Sequence, residues 1–320
     1  MRYALVSALV SALALAACSA PARFAPTPDQ ARIVTDDLAR FYAVFDALPP
    51  DVEGAARRFE AGYFEVGSDG LRAFRDRTGS PRDFTEAVLA RRPFYAAIRE
   101  TVLDEATHRA VADSVRQAYR DLEAVYPDAR FPDVYFVVGR LGTGGTAKPT
   151  GLVVGTEHWS GTDVPMDGFT PWQRQALSPP SERLPLVVHE MMHAQQRPRG
   201  RRPRTRLFVA LQEGCPDYLT ERLVGRHTNE AATAWAEPRW DALWAEFRAG
   251  LDETDLGDWF FRAPNRPDEP ERPVDLGYAV GAEICRGYVE RAPDLETALR
   301  DVIVLEDVGR IWRESGYAER

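Results

Sequence analysis

Residues 183–196 read Arg-Leu-Pro-Leu-Val-Val-His-Glu-Met-Met-His-Ala-Gln-Gln, and the organisation of the chain is worked outward from this stretch. Leu184, Val187, Val188 and Met191 supply apolar surface at helical spacing, and Pro185 is tolerated only in a first turn, so the segment reads as a buried helix. His189 and His193 are four residues apart. That places them one turn above the other on one face, where both imidazoles can reach a single metal ion. Glu190 adjoins the first histidine and is placed to hold and deprotonate a water at that metal. A catalytic zinc with one open position needs a third protein ligand, and a carboxylate is a usual choice. Gln212-Glu213-Gly214-Cys215-Pro216-Asp217 offers one in Glu213. Pro216 lacks the N–H that a helix interior uses, so the helix carrying Glu213 is expected to start near Pro216 or to kink there.

Glu213 lies twenty residues after His193, and Asp217 four after Glu213. This spacing resembles that of the gluzincin metallopeptidases. The resemblance implies that Glu213 is the third zinc ligand and that Asp217 accepts the outer ring N–H of a zinc histidine, fixing its tautomer. The plainer alternatives are a surface carboxylate for Glu213 and a helix N-terminal charge for Asp217. Over most of residues 131–318, the stretch 134–159, the His-Glu-x-x-His helix, the Glu-Gly-x-x-Asp-Tyr segment at 213–218 and Arg-Pro-Val-Asp-Leu-Gly-Tyr at 272–278 look like a group of bacterial predicted zinc-dependent proteases. That group is similar in turn to the gliding-motility lipoprotein B type. The match implies a zincin-like fold and leaves the substrate open.

A site of this type usually includes an oxyanion donor from outside the zinc helices. Tyr278 is the choice, on the first turn of a helix that Asp275 caps and that runs to about Ala292, with Gly277 and Gly281 on one face for close approach to another helix. Core packing is its other reading. His158, in a loop that Glu157 and Trp159 mark as partly exposed, is the alternative donor. His227 ends a helix and is assigned no role, and His108 reads as an exposed helix residue. Gly142-Thr143-Gly144-Gly145 lacks the Gly-Lys-Ser/Thr ending of a phosphate loop and reads as a hairpin loop beside a cleft. Residues 197–206 hold six arginines. They read as a solvated loop or, more sharply, as a contact for anionic lipid.

The chain has 320 residues, 44% hydrophobic and 28% charged, enough for a substantial core. Its formal charge of −9 excludes a dedicated nucleic-acid binder, so no nucleic-acid partner is expected. Apolar spacing at Ile33, Leu38, Phe41, Tyr42 and Phe45, and at Val102, Val111, Val115, Tyr119 and Leu122, predicts successive helices. Residues 134–138 and 152–154 read as two strands. The fold expected is α+β and mostly helical: a helical region over 31–127, then a zincin-like domain over 128–320 with a small antiparallel sheet.

Residues 1–17 carry Arg2 and then an apolar run, the pattern of a signal peptide. Leu15-Ala16-Ala17-Cys18 resembles the bacterial lipobox, which implies lipid attachment at Cys18. Residues 18–30, with three prolines, read as a tether. Ser19 in place of aspartate points to the outer membrane, facing the periplasm. Cys215 and Cys285 remain as a pair in an oxidising compartment, forming either a disulfide or two buried thiols. The function expected is a lipid-anchored zinc metallopeptidase with one zinc ion, a peptide or protein substrate and Glu190 as general base. The alternatives are a non-catalytic envelope scaffolding lipoprotein and a zinc amidase acting on peptidoglycan.

Overall fold

The computed structural model describes residues 24–200, 203–261, 266, 268–269 and 271–319. Cys18 and the signal peptide lie outside them, as does part of the proline-rich stretch before Tyr278. The chain belongs to the α+β class and is mostly helical.

Strands β1 (Phe24–Ala25) and β2 (Ile33–Val34) precede α1 (Asp36–Asp46), α2 (Val52–Phe59), α3 (Asp69–Ala73) and α4 (Arg75–Thr78). Helices α5 (Pro81–Ala90), α6 (Arg92–Ala97), α7 (Arg99–Leu103) and the long α8 (Glu105–Val125) follow. Ile33 thus lies on a strand, not on the helix its spacing suggested. Leu38, Phe41 and Phe45 form the buried stripe of α1, and Val115, Tyr119 and Leu122 that of α8. Next come β3 (Phe131–Pro132), β4 (Val134–Val137), β5 (Gly145–Lys148) and β6 (Gly151–Gly155).

The main sheet has the order β2-β4-β6-β5, with β2, β4 and β6 parallel and only β5 antiparallel to its neighbour. The expected antiparallel sheet is therefore corrected to a mixed one. The hairpin is made by β5 and β6, with β6 inserted between β5 and β4. β4 and β6 are buried along their whole length, as central parallel strands with both faces covered must be. Buried tyrosines donate to backbone carbonyls beside the sheet: Tyr63 to Val138 at 2.8 Å and Tyr95 to Gly139 at 3.0 Å just after β4, and Tyr119 to Pro132 of β3, which pairs with β1, at 2.7 Å. One continuous apolar cluster runs from Ala31 through the sheet to Tyr317.

Short α9 (Pro171–Gln175) leads to α10 (Arg183–Gln195) and α11 (Arg206–Val224). Helices α12 (Glu230–Ala236), α13 (Trp240–Arg248), α14 (Leu276–Arg291), α15 (Leu295–Val304) and α16 (Val308–Glu314) complete the chain. α11 and α14 pack backbone to backbone: a Cβ at Gly281 would collide with the Ala210 carbonyl, and one at Gly214 with Ala282 N. Gly277 instead faces the Phe260 ring, so of the two α14 glycines Gly281 alone serves the helix contact. Cys215 and Cys285 join the same two helices in a disulfide, with Cα atoms 5.6 Å apart.

Candidate metal centre

α10 carries His189, Glu190 and His193 along one side, and α11 brings Glu213 to face them. His193 Nε2 lies 3.1 Å from His189 Nε2 and 3.1 Å from Glu213 Oε2, and His189 Nε2 lies 3.7 Å from the same oxygen. All three ligand atoms fall within 4.8 Å of one another. The outer ring nitrogens are both engaged: His189 Nδ1 with Asp217 Oδ1 at 2.7 Å, and His193 Nδ1 with Gln196 Oε1 at 3.0 Å. Acceptors at Nδ1 put the ring protons there and turn both Nε2 lone pairs toward the Glu213 carboxylate. Two lone pairs and an anion converging without a donor fit a divalent cation.

The charge balance agrees. Burial alone would raise the pKa of both carboxylates, but the facing histidines hold Glu213 and Asp217 well below the usual range. Burial alone would lower that of His189, and Asp217 and Glu213 push it up to about 10, so the Nε2 position takes a proton when no metal ion is bound, and a bound cation would displace it. Such a site favours positive charge. Asp217 is itself fixed by Asn229 Nδ2, which donates to Oδ2 at 2.7 Å, and by Thr228 Oγ1 at 3.3 Å from Oδ1.

Pro216 does not start the helix; α11 runs from Arg206 to Val224 with Pro216 inside it. A proline at 216 leaves the Gln212 carbonyl, four residues back, without its intrahelical donor. Gln196 Nε2 takes that carbonyl at 2.7 Å. Its Oε1 then accepts from His193. The helix tolerates the proline because the missing bond is replaced from outside, and the replacement orients a candidate ligand.

Glu190 is buried beside the triangle, its carboxylate against the first residue of β5: a Cβ at Gly145 would sit 3.0 Å from Oε1. Burial raises its pKa, while the neighbouring histidines and an N–H from Ala147 act against the shift. β5 is the outer strand of its sheet and borders a cleft of about 830 Å³ that also contains Tyr278 and Asn229. Tyr278 stacks on His189 with ring centroids 5.9 Å apart. Burial and the Glu213 and Asp275 carboxylates raise its pKa well above the ordinary value, so the phenol keeps its proton and can donate. Asp275 stands at the start of α14 but does not cap it; its carboxylate accepts from Phe261 N at 2.5 Å.

His158 is corrected in two respects. It is buried with Glu157 and Trp159, not exposed. Its Nδ1 faces the Ala176 carbonyl at 3.3 Å, and burial lowers its pKa to about 4. A neutral ring that donates from Nδ1 leaves an acceptor at Nε2, which cannot serve an oxyanion. His108 is likewise buried, with Nε2 2.7 Å from the Val102 carbonyl, and His227 is buried with Nδ1 3.6 Å from Asp217 Oδ2. Of the arginine-rich loop, Arg206 opens α11 buried against Glu253 at 2.5 Å, so the run is not uniformly solvated.

The family described as gliding motility protein GldB matches residues 37–319. The chain belongs to this family. The match spans the N-terminal helices, the sheet and the candidate centre together, and the family is one of bacterial lipoproteins. No described helix is long and apolar enough to cross a membrane. Neither the curated proteins nor the solved structures contain a match.

Gln196, Asn229 and Thr228 are the site residues that sequence reasoning missed. Amides and hydroxyls carry no spacing signature. The signal within reach was Pro216, whose freed carbonyl requires a partner.

Proposed function

We propose that the protein is a lipid-anchored zinc metallopeptidase of zincin-like architecture, acting on peptide bonds in the cell envelope. The observation that carries this reading is the convergence of His189 Nε2, His193 Nε2 and Glu213 Oε2, with the outer nitrogens of both rings already held. Zinc bound there would act as a Lewis acid toward the scissile carbonyl and acidify a water. Glu190, buried and within the same cleft, takes the proton of the attacking water and passes it to the leaving nitrogen. Tyr278 donates to the developing oxyanion. The outer strand β5 along the cleft gives an extended peptide a sheet edge to lie against, which favours polypeptide over other amides.

Glu190→Gln is expected to retain zinc and to lower hydrolysis of a casein or peptide-library substrate by about 10²-fold or more. Hydrolysis at the parental rate would remove Glu190 as the base. Cleavage of muropeptides alone would move the assignment to a peptidoglycan amidase.

A further inference from the structure

We infer that the face from which the N-terminal segment departs docks on an anionic lipid surface through Arg130, Arg197 and Arg300. These three side chains line one pocket of about 390 Å³ with Tyr126, Asp128 and Glu306. They come from the turn before β3, the loop after α10 and helix α15. None has a carboxylate of a described residue within 4.0 Å, whereas Glu306 is engaged by Arg199 at 2.6 Å. Burial and the neighbouring Arg197 charge both lower the pKa of Arg130, so these two arginines repel each other. Phosphate headgroups would relieve that repulsion.

The location names the partner. The Arg130 guanidinium lies 4.9 Å over the ring of Phe24, the first described residue, and β1 pairs with β3 directly after Arg130. Cys18 is six residues before Phe24. An extended chain of that length reaches about 20 Å at most. A lipid on Cys18 therefore holds this face close to the bilayer. The molecule as a whole carries −9 and is repelled by an anionic membrane, so attraction requires a local patch of this kind. The arginine-rich loop is accordingly divided: Arg199 and Arg206 are committed to Glu306 and Glu253, and Arg197 is joined by two arginines distant in sequence.

The test uses the chain from residue 18 onward with Cys18→Ser, which keeps every described residue and carries no lipid. Binding is measured by co-sedimentation with vesicles of phosphatidylcholine alone or with 30% phosphatidylglycerol added (a proportion of roughly one anionic lipid in three, typical of a charged leaflet). The parent should bind the anionic vesicles, release in high salt and ignore the neutral ones. Each arginine near such a surface is worth roughly fivefold, so Arg130→Ser/Arg197→Ser/Arg300→Ser should weaken binding on the order of a hundredfold. A charge-matched control, Arg57→Ser/Arg58→Ser/Arg109→Ser on α2 and α8, should bind like the parent. The single variant Arg300→Glu, at an exposed position, keeps the test open should the triple variant misfold. No binding by the parent, equal loss in the control, or parental binding by Arg300→Glu would overturn the proposal.

Discussion

Pro216→Ala should raise stability and lower metal affinity together, an unusual pair of signs that follows from one hydrogen bond. An interior proline costs about 3 kcal/mol relative to alanine in a helix. Proline also restricts the unfolded chain, which offsets up to about 1 kcal/mol of that cost. Gln196 already replaces the missing backbone bond, worth about 1 kcal/mol, so the net expectation is a gain of about 1 kcal/mol, or roughly 2 °C in Tm for a chain of this size. The backbone N–H that the substitution restores at position 216 would claim the Gln212 carbonyl that Gln196 Nε2 now holds at 2.7 Å. Gln196 would lose its fixed orientation, and His193 Nδ1 its acceptor at 3.0 Å. Loss of such an orienting partner weakens metal affinity by about 10–100-fold, and sharing of the carbonyl puts the expectation near the lower figure. Calorimetry on chelator-treated protein gives the first quantity, and competition with a chromophoric chelator gives the second. Gln196→Ala should reproduce the affinity loss without the stability gain. Unchanged affinity in a stabilised Pro216→Ala variant would refute the relay, and a destabilised variant would refute the continuous helix.

Two further outcomes follow from the packing and from one buried acid. Gly281→Ala should destabilise by about 1–3 kcal/mol, because the added Cβ meets the Ala210 carbonyl and the Cys215–Cys285 bond keeps the helices from parting; an unchanged urea midpoint would mean that α11 and α14 do not touch there. Glu157 accepts backbone N–H groups from Gly139 and Leu141 at 2.8 and 3.1 Å, and burial pushes its pKa from 4.5 up to about 7. The folded state therefore binds the extra proton between those values, and stability contributed by this group falls as pH rises through that window, by about 3 kcal/mol in all. Glu157→Gln should remove that slope in urea melts at pH 5 and 7.5, and an identical slope in both proteins would contradict it.

The parts of the centre that sequence made legible share one property: they repeat along helices. His189 and His193 sit one turn apart on α10, and Glu213 and Asp217 one turn apart on α11, a spacing that can be read locally. Cys215 and Cys285 were legible as a pair by the same logic, standing on the elements that carry residues already singled out. What escaped was non-local. Gly145-Thr146-Ala147-Lys148 has a loop's composition and becomes a strand only because β6 offers it an edge. The parallel pairing of β4 with β6 depends on where the chain returns, which residues 134–138 and 152–154 do not encode. His108 and His158 have polar neighbours in sequence, and the core closes over them from distant segments: Phe136 stands 6.0 Å from the first and Trp172 5.8 Å from the second. Pro216 misled as a start signal because its rule concerns the helix alone, while the compensating donor comes from residue 196.

The central claim is that His189, His193 and Glu213 hold a zinc ion, and metal analysis of the purified protein tests it directly. Mass-spectrometric metal quantitation should find close to one zinc per wild-type chain and essentially none in His193→Ala, with both proteins folded by circular dichroism. A folded wild type that neither contains zinc nor takes it up on addition would contradict the account.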